Sequence, residues 1–479
     1  MLFLLCLLPI FTFLYLGKAK KFISPFTNNY TPKIKCLPSK HFILGDWKSI
    51  RNNIQNANDY HTKNIKKYGT HQFSLPFSPI YINLEPNDEN LKHILLKNFT
   101  NYIKDDDQKL IFGELFGNGI FSTDNIQWKT SRLLMTKFLI KTQSHLNHLF
   151  QEQVNNVILT SYNDLINNEL NNELNNELKW VKSMSSCCES ISSDELLNFK
   201  TKIDIQKFFF ELTATSTFKM IFGKNVNMNI ALTYAEMFDK CQELMFKRYF
   251  KPWWRIQKYL NIGDEKIIKS YIKLLDDNCL DHFKNPDGLV KYCIENGLNE
   301  KDTRDVVMNM LIASRDTTAT ALTWCMYEIV KNPHLIDKLR TNEEFLTNFI
   351  NETLRLHPPI PSDSKMVVND DILPDGTYLP AKSVIIYRPY SHGRLLYQDG
   401  DNFNPNRINN KSAYYSPIFN AGPRICLGKY IALLQIKIVL STLINKYNFT
   451  KINDKNPIWV PGITLKMNEF YVYVKSRIM

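Results

Sequence analysis

Apolar and polar residues recur with helical spacing through most of the middle of the chain, and this pattern predicts long helices there. One predicted helix begins at Asn299 and ends near residue 330, where an Asn-Pro pair at 332–333 stops it. Thr341 and Glu344 fit a capping box, which predicts the start of a second helix. An apolar segment at 426–447 predicts a final long helix.

The spacing changes between residues 365 and 390, where short extended segments replace the helical pattern. Asp375-Gly376 is typical of a tight turn, and the apolar, β-branched run at 383–387 favours a strand. The sequence therefore predicts a mainly α fold with small β-sheets towards its C-terminal end.

Length and composition indicate one large unit. The chain has 479 residues, of which 44% are hydrophobic, enough for a large core. After a proline-containing linker no clear boundary follows, so we interpret residues 22–479 as a single domain. Within it, Asn-Asn-Glu-Leu occurs three times in a row at 167–178, which we interpret as an insertion that extends a helix or loops out.

The N-terminal segment is typical of a membrane anchor. Residues 2–16 carry no charge and are rich in Leu, Phe and Ile, and Lys18, Lys20 and Lys21 follow at once. Fifteen helical residues span roughly 22 Å of a bilayer core of about 30 Å, and flanking lysines make up part of the difference. A cleaved signal peptide is the alternative, but its charge would precede the apolar run. We therefore predict a single-pass anchor at 1–21, with the remaining chain facing the cytosol, as at the endoplasmic reticulum.

The basic charge balance and the cysteines narrow the class of protein. The formal net charge is +12, which favours an acidic partner: nucleic acid, an anionic membrane or an acidic protein. No nucleic-acid module or clustered basic face is visible, so no nucleic-acid partner is expected and a non-enzymatic basic binding protein is the weakest interpretation. The nine cysteines include no CxxC pair, which favours a reducing compartment over a disulfide scaffold.

One cysteine lies in a special setting. Cys426 stands just before the predicted final helix, between Gly422 and Gly428 and two residues after Arg424. A helix N-terminus lowers the pKa of a thiol, so this position favours a thiolate. The two glycines allow the backbone to approach a bulky planar ligand, and Arg424 can pair with a carboxylate of that ligand.

The segment from Phe419 to Gly428 matches all five fixed positions of FxxGxRxCxG, and so resembles the signature of the cytochrome P450 family. The resemblance implies a mainly helical haem-thiolate monooxygenase fold, heme b as cofactor, and Cys426 as the axial ligand of the iron. The cofactor-binding residues that it implies in this loop are Phe419, Gly422, Arg424, Cys426 and Gly428. A thiolate ligand pushes electron density onto haem iron and favours cleavage of the O–O bond.

Further matches follow in the family's order. Glu352 and Arg355 resemble its ExxR motif, and Arg407 lies where the family completes a three-way ion network with that pair. The implied role of this network is structural. Trp128 and Arg132 resemble the WxxxR helix that meets a haem propionate, since indole and guanidinium are both donors. Lys365 lies where members often have another propionate-binding cation.

The segment 313–318 resembles the family's oxygen-activation motif. The resemblance implies that Asp316 and Thr317 are the catalytic acid–alcohol pair that supplies protons. At position 314 the family usually has Gly, whereas this chain has Ser, which would narrow the pocket or alter proton delivery.

Several stretches resemble the fatty-acid ω-hydroxylase branch of the family, namely 117–121, 248–254, 370–376, and 428–429 together with 434–435. This resemblance implies hydroxylation of a long apolar chain, most often at its terminal carbon. Ordinary core packing remains the alternative for each candidate pocket residue; the candidates are Phe112, Leu115, Phe116, Ile120, Phe121, Met310, Ala313, Ile360, Ile463, Thr464 and Leu465.

No dinucleotide or flavin fingerprint is visible, so electrons must come from a separate NADPH-dependent reductase. Arg424, Lys429 and Lys437 flank the cysteine loop and offer an acidic reductase a cationic face. The other expected partners are O2, an apolar small molecule and a membrane. A different lipid or a sterol as substrate stays open, as does a haem-thiolate isomerase or dehydratase that needs no reductase, although the Asp316–Thr317 pair argues against the latter.

Overall fold

The structure is a computed structural model that describes residues 34–37, 45–75, 78–181, 201–223, 228–251, 253–407, 411–452 and 457–477. The anchor predicted at 1–21 lies outside these residues. Within the described parts of the chain, none of the helices combines the length and the apolar character needed to cross a membrane.

Helices dominate, as predicted. They are α1 Trp47–Asn52, α2 Ala57–Tyr68, α3 Asp88–Lys92, α4 Asp106–Phe116, α5 Asn125–Val181, α6 Ile205–Phe222, α7 Met228–Phe246, α8 Trp254–Leu260, α9 Asp264–Asp281, α10 Gly288–Glu295, α11 Glu300–Leu311, α12 Thr317–Lys331, α13 Ile336–Thr341, α14 Glu343–Leu356, α15 Pro389–Leu395 and α16 Lys429–Lys446.

The central helix is α11 continued by α12, with a π-helical turn at Ile312–Asp316 between them. Asn299 caps its start, since its side chain accepts a hydrogen bond from Asp302 N, and the helix ends at Lys331, so both predicted ends are confirmed. The sequence did not predict the π turn. Helix α5 continues through the Asn-rich tract to Val181, so the tract extends a helix.

The predicted capping box at Thr341 and Glu344 is wrong. Asn342 caps α14 instead, because its side chain accepts from Phe345 N at 2.8 Å. Thr341 belongs to the preceding helix, where its hydroxyl donates to Asp337 O. Two helices meet almost end to end here, and the residue with extended backbone between them is the one able to cap.

In the part of the chain that the structure describes, short strands form three small sheets. The strands are β1 Lys35–Cys36, β2 His71–Ser74, β3 Ile80–Asn83, β4 Tyr102–Ile103, β5 Thr201–Asp204, β6 Asp363–Val367, β7 Asp371–Ile372, β8 Tyr378–Leu379, β9 Val384–Tyr387, β10 Tyr447–Lys451 and β11 Tyr471–Ser476. The largest sheet has the order β1-β2-β3-β9-β6-β4, the second β10-β11-β5, and the third is the β7–β8 hairpin. The predicted turn at Asp375-Gly376 closes that hairpin, and the predicted strand is β9.

Among the described residues, two large apolar clusters surround the central helix. Its first half, α11, packs with α4, α5, α6, α7, α9 and α10. Its second half, α12, packs with α14, α16 and β11. The π turn lies where the two clusters meet. The final helix α16 begins three residues after Cys426, so the cysteine stands in the loop that leads into it.

Candidate active site

One internal cavity of about 570 Å³ collects most of the predicted site residues. Those in its wall are Phe112, Phe116, Ile120, Phe121, Trp128, Arg132, Met310, Ala313, Thr317, Ile360, Phe419, Arg424, Cys426, Gly428 and Ile463. For Leu115, Thr464 and Leu465 the alternative of core packing holds instead, because each is at least 96% buried and outside the wall.

The cysteine loop is closed by its own backbone. Cys426 N donates to Phe419 O at 2.8 Å, and Ile425 N donates to Gly422 O at 3.0 Å. Gly422 has φ of +64°, and a Cβ on it would lie 2.1 Å from Leu95 O. Only glycine fits there, because the loop packs against the Leu95 backbone. This contact accounts for a glycine at position 422, which lies outside the cavity wall.

The Cys426 thiol has open surface, and that surface faces the cavity. Burial within the protein raises the pKa of this thiol, while the N–H groups of Gly428 and Lys429 and the guanidinium of Arg132 act in the opposite direction. The predicted effect of the helix terminus is present, but burial outweighs it, so the pKa of Cys426 in the polypeptide alone lies above its ordinary value. Ligation to a metal ion would deprotonate the thiol outright.

Two arginines and a tryptophan adjoin the cysteine. Arg132 Nη2 donates to Ile425 O at 2.7 Å, which joins α5 to the cysteine loop. The Arg424 guanidinium lies 4.4 Å from the ring centre of Trp128 and donates to Asp124 Oδ1 at 2.5 Å. The two guanidinium groups are partly buried at one side of the cavity, where a carboxylate-bearing ligand would meet them.

Thr317 and Asp316 take different positions. The Thr317 hydroxyl lies at the cavity and donates to Ala313 O at 2.7 Å. Asp316 is 1% exposed and lies behind the wall. Its Oδ2 accepts from Gln242 Nε2 at 3.1 Å and lies 3.5 Å from Lys466 Nζ.

A charge cluster therefore surrounds Asp316. Arg315 is ion-paired with both Asp316 and Asp239, and Lys466 Nζ lies 2.9 Å from Asp239 Oδ1. The side chains of Asp239 and Lys466 are 32% and 25% exposed, so the cluster reaches from solvent to the carboxyl next to Thr317. Sequence reasoning missed Asp239, Gln242 and Lys466, since residues so far apart give no local motif.

Ser314, the departure from the family pattern, is tied to a neighbouring helix. Its hydroxyl donates to Met310 O at 2.7 Å and lies 3.0 Å from the hydroxyl of Thr217 on α6. Both Ser314 and Thr217 line the cavity. The serine hydroxyl is thus held at the wall by two partners.

Comparison with known proteins identifies the chain. The model of the family described as Cytochrome P450 matches residues 36–472. The chain belongs to the cytochrome P450 family. Relatives of this P450 include Cytochrome P450 704C1 of Pinus taeda, 28% identical over 87% of this chain and 88% of the relative. Another is Cytochrome P450 94B1 of Arabidopsis thaliana, 27% identical over 80% and 79%. A third is Alkane hydroxylase MAH1 of Arabidopsis thaliana, 28% identical over 79% and 80%. The protein is thus a haem-thiolate monooxygenase, an oxidoreductase.

The residues around Cys426 fit the haem of this family. Arg424 Nε is buried and has no hydrogen-bond partner among the described residues. Arg132 has no carboxylate partner within the same residues. Both are cationic donors at the cavity, as the propionates of a haem require. When bound there through Cys426, the haem supplies the oxygen-activating chemistry.

Lys365 does not reach the cavity wall of the P450. It is fully buried, and its Nζ donates to Asp363 Oδ2 at 2.6 Å. Burial lowers the pKa of Lys365 to about 7, although Asp363 acts to raise it. On the other side of Asp363, Lys104 Nζ lies 3.6 Å from Oδ1, and Lys104 does line the cavity. Lys104 is therefore the lysine placed to meet a ligand carboxylate, and Lys365 supports Asp363 from behind.

The predicted ion network of Glu352, Arg355 and Arg407 is present in this P450. Glu352 and Arg355, both buried on α14, make two hydrogen bonds of 2.8 Å, and Arg407 Nε lies 3.4 Å from Glu352 Oε1. Arg355 also donates to the backbone of Gly400, at 2.6 Å, and Asn402. The three residues lie outside the cavity. Their hydrogen bonds hold the segment between α15 and the cysteine loop in place.

Proposed function

We propose that this P450 hydroxylates the hydrocarbon chain of a fatty acid. The observation that supports it most directly is the character of the cavity. Apolar side chains from α4, from the loop after it and from the C-terminal region line one continuous space that also contains Cys426 and Thr317. The relative named Alkane hydroxylase MAH1 adds support, because a chain without functional groups needs the same kind of wall.

In this proposal the apolar side chains bind the substrate, and the polar side chains supply protons. The apolar wall binds the chain and excludes water, so that the reacting region is dry when the substrate is in place. Thr317 presents its hydroxyl to the cavity, and Asp316 stands one residue away in the helix as a proton source. Lys466 and Asp239 connect that carboxyl to solvent, which would allow it to be reprotonated between turnovers.

Electrons and location belong to the same proposal. An NADPH-dependent reductase on a separate chain would dock at the cysteine face, where Lys429 is exposed. Residues 1–21 would anchor the protein with the catalytic domain in the cytosol.

Deletion of residues 1–21 is expected to release the protein from membranes. A folded deletion variant that still sediments with membranes would show that another surface binds them.

The test of substrate class is a screen of purified full-length protein for spin-state shifts with fatty acids of increasing length, alkanes and sterols. Compounds that bind are then incubated with a reductase and NADPH, and the products are identified by mass spectrometry. We expect a shift and hydroxylated products with fatty acids. Binding and turnover of sterols alone would replace this proposal by the alternative substrate class.

A further inference from the structure

The loop after α4 forms a partition between two cavities. Ile120 and Phe121 line the active-site cavity, whereas Gly117 and Asn118 line a second, polar cavity of about 640 Å³. Ser122 lines both. The position of residues 117–122 therefore determines how far the active-site cavity extends on this side.

Two buried side chains in the first half of the central helix, α11, accept hydrogen bonds from the backbone of this loop. Asp305 Oδ2 accepts from Asn118 N at 2.7 Å, and Asn309 Oδ1 accepts from Phe121 N at 3.0 Å. Asn309 Nδ2 donates in turn to Phe116 O at 2.8 Å, where α4 ends. Asp305 and Asn309 are each 3% exposed; Asn309 also lines the active-site cavity, and Asp305 lines the second cavity.

The glycines of the loop fit against the same two side chains. A Cβ on Gly117 would lie 1.9 Å from Asp305 Oδ1, and a Cβ on Gly119 would lie 1.9 Å from Asn309 Nδ2. Each glycine thus leaves the space that one α11 side chain fills. The loop has no room to move towards the helix, and the hydrogen bonds prevent it from moving away.

We propose that Asn309 and Asp305 are positioning residues that decide which carbon of the substrate chain is hydroxylated. They fix the projection of Ile120 and Phe121 into the cavity, and they do so from the helix that also bears Thr317. Asn309 precedes Thr317 by eight residues, about 12 Å along a helix axis. One helix therefore sets both the wall and the reacting region, and the wall limits where the chain can lie. This inference rests on the proposed function for the identity of the substrate.

The experiment compares two test variants with two matched controls in the full chain. Asn309→Ala removes the hydrogen bonds to the loop and also changes one side chain of the cavity wall, whereas Gly119→Ala displaces the loop and keeps the Asn309 side chain. Asn332→Ala removes an amide at the far end of the same helix, and Gly113→Ala adds a Cβ in open space on α4. Each variant is first checked for its reduced carbon monoxide spectrum, which reports an intact haem site.

The measured quantity is the ratio of terminal to subterminal hydroxylation products. We expect both test variants to change this ratio by up to about tenfold, the factor that corresponds to one buried hydrogen bond of ordinary strength. Both controls should keep the wild-type ratio. An unchanged ratio in the two test variants, or an equal change in the controls, would overturn the proposal. If one test variant loses its haem, the other decides.

A second readout separates this inference from the proposed function. Affinity for fatty acids of increasing length is measured by the spin-state shift, which needs no turnover. The test variants, but not the controls, should shift the preferred length. If wild-type protein forms no hydroxylated fatty acid, the proposed function fails, and a length preference that is identical in all five proteins overturns the inference as well.

Discussion

Among the described cysteines, Cys426 differs from the four buried ones in its surroundings rather than in its chemistry. Cys241, Cys279, Cys293 and Cys325 are buried in apolar surroundings, and burial raises the pKa of each to about 12. Cys426 faces a cavity, and backbone N–H groups point at its sulfur. A thiol in this position is accessible to a metal and would be stabilised as thiolate by its neighbours.

Replacement of Cys426 by Ala should therefore abolish the thiolate-type Soret band of the reduced protein with carbon monoxide. Cys36→Ser is the matched control, since Cys36 is also exposed but lies in β1 and is not part of the cavity wall. We expect the control to keep the band. A wild-type spectrum without the thiolate-type band would contradict the assignment of Cys426 as the ligand.

Thr317 offers a test of proton supply. Thr317→Ala should let consumption of NADPH and release of peroxide outrun hydroxylation, because the hydroxyl at the cavity is lost. Thr323→Ala removes an equivalent bond, from Thr323 Oγ1 to Ala319 O at 2.8 Å, but away from the cavity. The ratio of product to NADPH oxidised is measured for both. Equal coupling in the two variants would remove Thr317 from the pathway.

At the scale of single residues, the sequence did not predict how deeply each side chain is buried. The motifs predicted Cys426, Arg132 and Thr317 as site residues, because residue type and spacing are local properties of the sequence. They did not predict that Lys365 lies behind Asp363 while Lys104 reaches the cavity. Which of the two lysines is buried depends on how β6 packs against distant segments.

At the scale of elements, α14 stabilises the segment that leads to the cysteine loop through a buried pair of charged residues. Its Glu352–Arg355 pair is fully buried, and Arg355 also binds backbone carbonyls in the segment between α15 and the cysteine loop. A buried pair of this kind is costly to break because the remaining charge has no partner. The pair therefore fixes the path of a segment that has little regular structure of its own.

Arg355→Met should lower the free energy of unfolding by about 3–5 kcal/mol and weaken haem retention. The control is Lys284→Met, which breaks another i, i+3 pair, with Asp281, in which both side chains are more than 70% exposed. We expect no measurable change for the control. Urea unfolding followed by circular dichroism gives the comparison, and equal stability of the two variants would argue against a structural role for the network.

The sequence predicted elements well where their ends are marked by local chemistry. Asn299, Asn332-Pro333 and the Asp375-Gly376 turn are such marks, and each stands where it was expected. It failed at the Thr341 cap, where two capping candidates are adjacent in sequence. The π turn at 312–316 also has no local mark, because its hydrogen-bond pattern is decided by packing against α6 and by side chains such as Ser314.

At the scale of the whole molecule, buried histidines couple stability to pH. Burial is the largest cause in lowering the pKa of His61, His71, His357 and His392, the last to about 4. An unfolded chain binds protons at these sites near pH 6.5, whereas the folded chain does not. The free energy of unfolding should therefore fall as the pH drops from about 6.5 towards 4. Asp105, whose pKa burial raises to about 6, opposes this change with a single group.

His392→Gln isolates one of these contributions. The variant should lose up to about 1.4 kcal/mol of pH dependence per pH unit between pH 6.5 and 4, because one fewer proton is taken up on unfolding. Urea unfolding at several pH values measures the slope. A variant with the wild-type slope would mean that His392 is protonated in the folded protein.

The hydroxyl contact between Ser314 and Thr217 has an evolutionary consequence. A serine at 314 opposite a purely apolar side chain at 217 would lose one of its two partners, and a glycine at 314 would deprive Thr217 of this acceptor. Each position therefore constrains the amino acids tolerated at the other. Substitutions at 217 and 314 should therefore be epistatic, with effects on the free energy of unfolding that do not add.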